Sequence, residues 1–339
     1  MKNLLPLVAL CMITNGYAQQ SDSSKFYFTK GMQEKEAKRY LVASDCFDKA
    51  IKFDPGYKDA YLQNGFALLE MKKTDAAKNN FEKMYTMDPG NKDAVQQLMN
   101  LYFNYRQFDK AIEFAGKCTD CEKSQRVMGM SYYHQEDYAQ AAKHLAAASL
   151  KDPNDAEITY TMGRNYLDME EYTKAVPFYK KAVEQDETRN VWMYELGLLY
   201  YNLNDYKNAL ASFENAAAHG YNKSNDFTEN MGYASLYCGQ YEKGEALLME
   251  IYKRKSANKD ILRDLAEILY QQKQYDRSLS YCQKLMELDE RDGKALYQAG
   301  LCFQKKGDKD RGQQMCDKAI ELDPSLESLR RKKEMMTGL

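Results

Sequence analysis

An all-α, right-handed α-solenoid of about nine helical hairpins is the fold this sequence predicts, and three observations predict it. Gly31, Gly65, Gly129, Gly163, Gly197, Gly232 and Gly300 stand in one register, with Met99 and Ala266 at its two gaps, and most steps are 34 residues. Ala43, Ala77, Ala111, Ala141, Ala175 and Ala209 each follow a marker by twelve residues, and Pro55, Pro89, Pro153 and Pro324 close four of the units after Asp. Lys, Glu, Ala, Leu, Met and Gln are plentiful while Pro and Gly are few, a composition that favours helix nearly everywhere.

Two antiparallel helices approach closely only where side chains are small, so Gly on the first helix and Ala on the second mark their crossing. Phe47, Phe81, Leu145, Tyr179 and Phe213, four residues after the Ala, fill the adjoining gap. Pro cannot continue the hydrogen-bond ladder and ends the second helix. One hairpin cannot bury its apolar face alone, so neighbours must stack.

The chain opens differently. Lys2, the apolar run Leu4 to Thr14, and Asn15-Gly16-Tyr17-Ala18 read as a secretory signal peptide over 1–18, cut between Ala18 and Gln19, followed by a short leader over 19–23. Leu10 is large where a lipoprotein signal needs a small residue, so Cys11 reads as part of the apolar run. No later stretch is apolar enough to cross a bilayer, and no direct membrane insertion is expected after cleavage. The repeats are framed at 24, 58, 92, 122, 156, 190, 225, 259 and 293, spanning 24–326. The unit from Asn225 is weak, with Ser235 and Gly244 where Tyr and Ala are usual, and Pro177 is expected to bend or loosen a second helix. Residues 327–339, with Arg330, Arg331, Lys332, Lys333 and Glu334, read as a polar capping helix over the open end of the stack.

Formal net charge is −2, from 48 basic and 50 acidic residues interspersed along the chain, which supplies no electrostatic footprint for nucleic acid. His134, His144 and His219 lack metal-ligand partners at helical or loop spacing, and no HExxH, GxSxG, Walker or GxGxxG pattern occurs. No metal and no cofactor are expected. Seven cysteines remain after cleavage, and Cys118-Thr119-Asp120-Cys121 falls where one step of the register is only 30 residues. A local disulfide, two free thiols and a redox pair all stay open for Cys118 and Cys121. Thr119 and Glu122 have capping-box spacing, which predicts a helix start there. Cys282, Cys302 and Cys316 sit at apolar helix positions and read as small buried hydrophobes.

Met193-x₂-Leu196-Gly197-x₂-Tyr200, then Ala209-x₃-Phe213, and likewise Gly31, Ala43, Phe47, Ala50 and Pro55, carry a resemblance to the tetratricopeptide repeat family. That resemblance covers nearly all of the chain after the leader. It implies a protein- or peptide-binding role, with ligands held in a concave groove lined by the first helices. By that analogy the groove carries Tyr133, Tyr160, Tyr194, Tyr201, Tyr233, Tyr237, Tyr270 and Tyr297, with Arg126 and Arg164 interleaved. Tyr with Arg is the composition of an interaction surface, whereas a half-exposed filler role is the bland alternative. Lys and Asn are nowhere paired at the fifth and ninth positions, which sets aside the carboxylate clamp of chaperone-binding members. The expectation is an exported, periplasmic scaffold or adaptor. A partner-anchored component of an outer-membrane assembly or secretion machine is the alternative, and an enzyme is the least expected reading.

Overall fold

A computed structural model describes residues 22–254 and 259–328. The expected signal peptide, residues 19–21 of the leader and residues 329–339 of the expected cap lie outside them. All regular structure among the described residues is helical. The chain divides after Glu171 into two compact units.

The N-terminal unit holds α1 (22–36), α2 (Tyr40–Phe53), α3 (Lys58–Glu70), α4 (Thr74–Met87), α5 (Lys92–Asn104), α6 (Phe108–Lys117), α7 (Ser124–His134), α8 (Tyr138–Lys151) and α9 (Ala156–Asp168). The C-terminal unit holds α10 (Tyr172–Gln185), α11 (Asn190–Asn202), α12 (Tyr206–Ala218), α13 (Asn225–Tyr237), α14 (Tyr241–Arg254), α15 (Asp260–Gln271), α16 (Tyr275–Leu288), α17 (Gly293–Lys306), α18 (Lys309–Leu322) and a 3₁₀ turn at Pro324–Leu326. In each unit consecutive helices pair as hairpins, and each hairpin packs on the next.

The closest approach within a hairpin is set by a large side chain lying on the glycine. A Cβ added at Gly31 or Gly65 would come within 2.6 Å of the Phe47 or Phe81 ring, one at Gly129 within 2.8 Å of Leu145, and one at Gly197 would overlap the Phe213 ring. The Ala twelve residues on is fully buried at Ala43, Ala77, Ala111, Ala141 and Ala209, but the side chain sixteen residues on is what excludes a Cβ. The large residue, expected in the gap beside the Gly–Ala crossing, lies directly over the glycine.

The turn from first to second helix uses the left-handed conformation at Lys38, Lys72, Arg106, Glu136, Asn204 and Lys273, and at Gly239 and Gly307. The Lys72 amide donates to the Leu69 carbonyl at 2.8 Å and Lys73 to Leu68 at 2.9 Å, which satisfies carbonyls that the end of α3 would leave orphaned. The return turn uses an Asp whose carboxylate accepts from the amide two residues on, as Asp54 does from Gly56 at 2.9 Å and Asp186 from Thr188 at 3.1 Å. That bond explains why Asp precedes the closing Pro.

Two local expectations need correction or refinement. No capping box forms at Thr119 and Glu122; α7 begins at Ser124, whose hydroxyl donates to the Thr119 carbonyl at 3.2 Å. Cys118 and Cys121 are joined by a disulfide, and amide bonds from Cys121 to the Cys118 carbonyl and from Ser124 to the Cys121 carbonyl make two successive turns that delay the helix. Pro177 lies inside α10, which stays helical through it. The expected loss there is the single bond its nitrogen cannot donate.

Gly197→Leu is expected to lower unfolding stability by at least about 1–3 kcal/mol, because the Phe213 ring must be displaced, whereas Lys207→Leu on the exposed face of α12 stays near wild type. Glu136→Gly should raise stability by about 0.5–1 kcal/mol by removing the left-handed penalty on a side-chain-bearing residue. Chemical denaturation of the variants reads both.

Candidate functional site

The first helices carry the residues that the sequence singled out, and each unit arranges its own set. In the N-terminal unit Arg126 on α7 donates to Asp155 at 3.0 Å and also pairs with Glu157. Asp155 caps α9, accepting from the Glu157 and Ile158 amides at 2.9 and 3.0 Å. Tyr133, one helix face along from Arg126, donates its hydroxyl to Asp168 on α9 at 2.7 Å. Arg164 donates to the Tyr160 hydroxyl at 3.4 Å and lies 3.8 Å from the Asp168 carboxylate. Burial, and then the bond to Asp168, hold the Tyr133 hydroxyl far above the ordinary tyrosine range. A cleft of about 380 Å³ opens beside Arg126, between Lys123, Lys151 and Asp152.

In the C-terminal unit Tyr194 of α11 stacks on Tyr221 at 4.5 Å, packs near Phe213 and Phe227, and accepts from Asn230 at 2.9 Å. Tyr201 meets Tyr206 edge-on at 5.2 Å, Tyr206 stacks on Tyr237 at 4.0 Å, and the Tyr233 hydroxyl donates to Asp264 at 2.6 Å. Tyr270 of α15 lies 5.6 Å from Tyr275 across its own hairpin turn. Arg263 donates two bonds to Asp292 at 3.2 and 2.8 Å, and Asp292 caps α17. This is the same device as Arg126 on Asp155: an arginine in the first turns of one first helix grips the cap of the next.

These geometries sort the expected groove residues. Tyr133, Tyr160, Tyr194, Tyr201, Tyr233, Tyr237 and Tyr270 are half-buried, with Tyr133, Tyr194 and Tyr233 bonded to the following first helix. Tyr297 is a correction: at 6% exposure it packs with Cys316, Ala319 and Leu326 in the core of the last hairpin and presents no face to a ligand. Arg126 and Arg164 were expected to meet a partner, but both engage acids of their own unit.

Models of the Tetratricopeptide repeat match residues 68–117 and 132–193, residues 193–218 and 293–326, and residues 229–292, which together exceed half of the chain. The chain belongs to the tetratricopeptide repeat family. Among curated proteins nothing matches it. Similar solved structures include the C-terminal part of a TPR repeat-containing protein from Cytophaga hutchinsonii, at 17% identity over 70% of this chain and 99% of that one, with a TM-score of 0.52. YrrB, described as a TPR protein with an unusual peptide-binding site, is 24% identical over 57% of this chain and all of that one, with a TM-score of 0.40. PilF of Pseudomonas aeruginosa is 15% identical over 74% and 99%, with a TM-score of 0.35.

Tetratricopeptide repeats are protein-interaction scaffolds. His134 stacks on Phe108 at 4.8 Å and His144 on Tyr132 at 5.5 Å, and burial lowers both imidazoles. His219 contacts the Asn215 carbonyl at 2.9 Å. Asp120, inside the Cys118–Cys121 turn, pairs with Lys92 at the start of α5.

Peptide mapping of unreduced protein should recover the 118–121 segment two hydrogens lighter than its reduced form, and complete alkylation of both thiols in native protein would contradict the bridge. Cys282 should resist alkylation near neutral pH, since burial pushes its thiol up to about 12.

Proposed function

We propose that this chain is an exported, periplasmic scaffold that holds extended or helical segments of a polypeptide partner against the tyrosine-bearing faces of its first helices. The observation that carries the reading is the half-buried state of Tyr133, Tyr160, Tyr201, Tyr233 and Tyr237, each on a first helix. A tyrosine already fixed by its neighbours offers a large contact area with little rotamer entropy left to lose on binding. The export part rests on Lys2, the apolar run Leu4 to Thr14 and the Ala18 boundary. No helix among the described residues is long and apolar enough to cross a membrane.

Tyr160→Ala, Tyr201→Ala and Tyr237→Ala combined should abolish capture of the natural partner from envelope extract, with the helical circular dichroism unchanged. A truncated interface aromatic costs on the order of 2 kcal/mol of binding. Lys180→Ala with Lys223→Ala, at exposed positions off the first helices, should leave capture intact. Retention of the partner by the folded tyrosine variant would move binding to another face. The mature chain should begin at Gln19 and fractionate outside the cytoplasm; intact full-length protein in the cytosol would remove the export part alone.

A further inference from the structure

The charge on the tyrosine faces differs between the two units. In the N-terminal unit Arg126 and Arg164 are balanced by Asp155, Glu157 and Asp168. In the C-terminal unit Glu229, Tyr233 and Tyr237 follow one another at four-residue steps and share one face of α13. Asp264 and Glu267, three residues apart, share a face of the next first helix, α15. The Tyr233–Asp264 bond of 2.6 Å ties the two faces together, and the Tyr206–Tyr237 stack extends the aromatic surface toward Tyr201.

The acids on this surface are not balanced in the same way. Arg263, beside Asp264 in sequence, is committed to Asp292 through two bonds, and the Asp292 carboxylate is only 4% exposed. Asp264 accepts from a neutral tyrosine, and Glu267 from the Gln271 amide at 3.2 Å. Lys294 of α17 and Arg263, the latter held by Asp292, line the same small cleft as Glu267, while Glu229 and Asp264 lie outside it. Burial first, with Asp264 and Glu229 nearby, holds the Tyr201 and Tyr233 hydroxyls above the ordinary tyrosine range, and both rings are neutral, as tyrosines are near pH 7.

We propose that this tyrosine–carboxylate surface of α11, α13 and α15 recognises a cationic side chain, Lys or Arg, presented by the polypeptide partner. Ring faces attract a cation through their quadrupole, and carboxylates at the rim add direct charge complementarity, while an acidic segment would meet like charge. The inference rests on the scaffold reading above and adds to it the chemistry of what is held.

The test is a random-sequence peptide array probed with purified full-length protein. Wild type should retain peptides enriched in Lys and Arg. Glu229→Gln with Glu267→Gln should weaken retention of those peptides roughly tenfold while sparing neutral ones, Tyr237→Leu should weaken it by about threefold or more, and Tyr233→Phe, which keeps the ring, should change it little. Thermal melts matched to wild type establish that each variant is folded. Retained peptides without Lys or Arg enrichment, or an unaffected double variant, would overturn the cation assignment while leaving the scaffold intact. Retention of no peptide of any composition would overturn the scaffold reading and the assignment together.

Discussion

The packing of a large side chain directly onto a first-helix glycine, at Gly31, Gly65, Gly129, Gly197 and Gly232, is the contact on which the rest depends. Phe47 over Gly31, Phe81 over Gly65 and Phe213 over Gly197 fix how deeply the second helix settles against the first. That depth decides which residues of the first helix are enclosed and which remain at the surface. Phe47, Phe81 and Phe213 are fully buried, yet Tyr194, three residues before Gly197 on the same first helix, contacts the Phe213 ring and stays half-buried. Where Gly244 and Gly312 replace the usual alanine, the backbones themselves come together, and a Cβ at Gly244 would lie 2.8 Å from the Gly232 carbonyl.

A second set of interactions spaces the first helices along each unit. Arg126 on Asp155 and Arg263 on Asp292 join an arginine to the carboxylate that already caps the following first helix. Each such carboxylate therefore satisfies amide donors and a guanidinium at once, which couples helix capping to the stacking of neighbours. Lys58 with Asp88 and Lys259 with Asp289 reach the same return turns from more exposed positions, where ion pairs contribute little. Tyrosines then bridge farther along the same helices, so their rings are oriented before any ligand arrives.

The period of 34 residues and the small-residue register made the all-α repeat fold legible, because helix crossing geometry restricts residue size at fixed intervals. The left-handed turns were not legible at Lys72, Arg106 or Glu136, since these side chains carry no signal for positive φ of the kind that Gly239 and Gly307 give. The helix start at Ser124 was obscured because Thr119 and Glu122 match a local cap pattern that the Cys118–Cys121 turn overrides. Among the candidate site residues, helical position placed Tyr201, Tyr233 and Tyr237 on first helices but could not tell them from Tyr297. The difference is the terminal packing of Leu326 and Cys316, which comes from the last hairpin and its 3₁₀ turn. Asp264 and Asp168, the acceptors of two tyrosine hydroxyls, lie 31 and 35 residues from their donors, and the Arg–Asp spacing of 29 residues at Arg126 and Arg263 was the available hint that such cross-repeat bonds exist.

Binding on the first-helix faces is the central claim, and backbone hydrogen exchange of the free and partner-bound protein tests it most directly. Partner captured from envelope extract should slow exchange in α11, α13 and α15, with α12, α14 and α16 close to their free-state rates. Protection concentrated in α12, α14 and α16 would contradict the account.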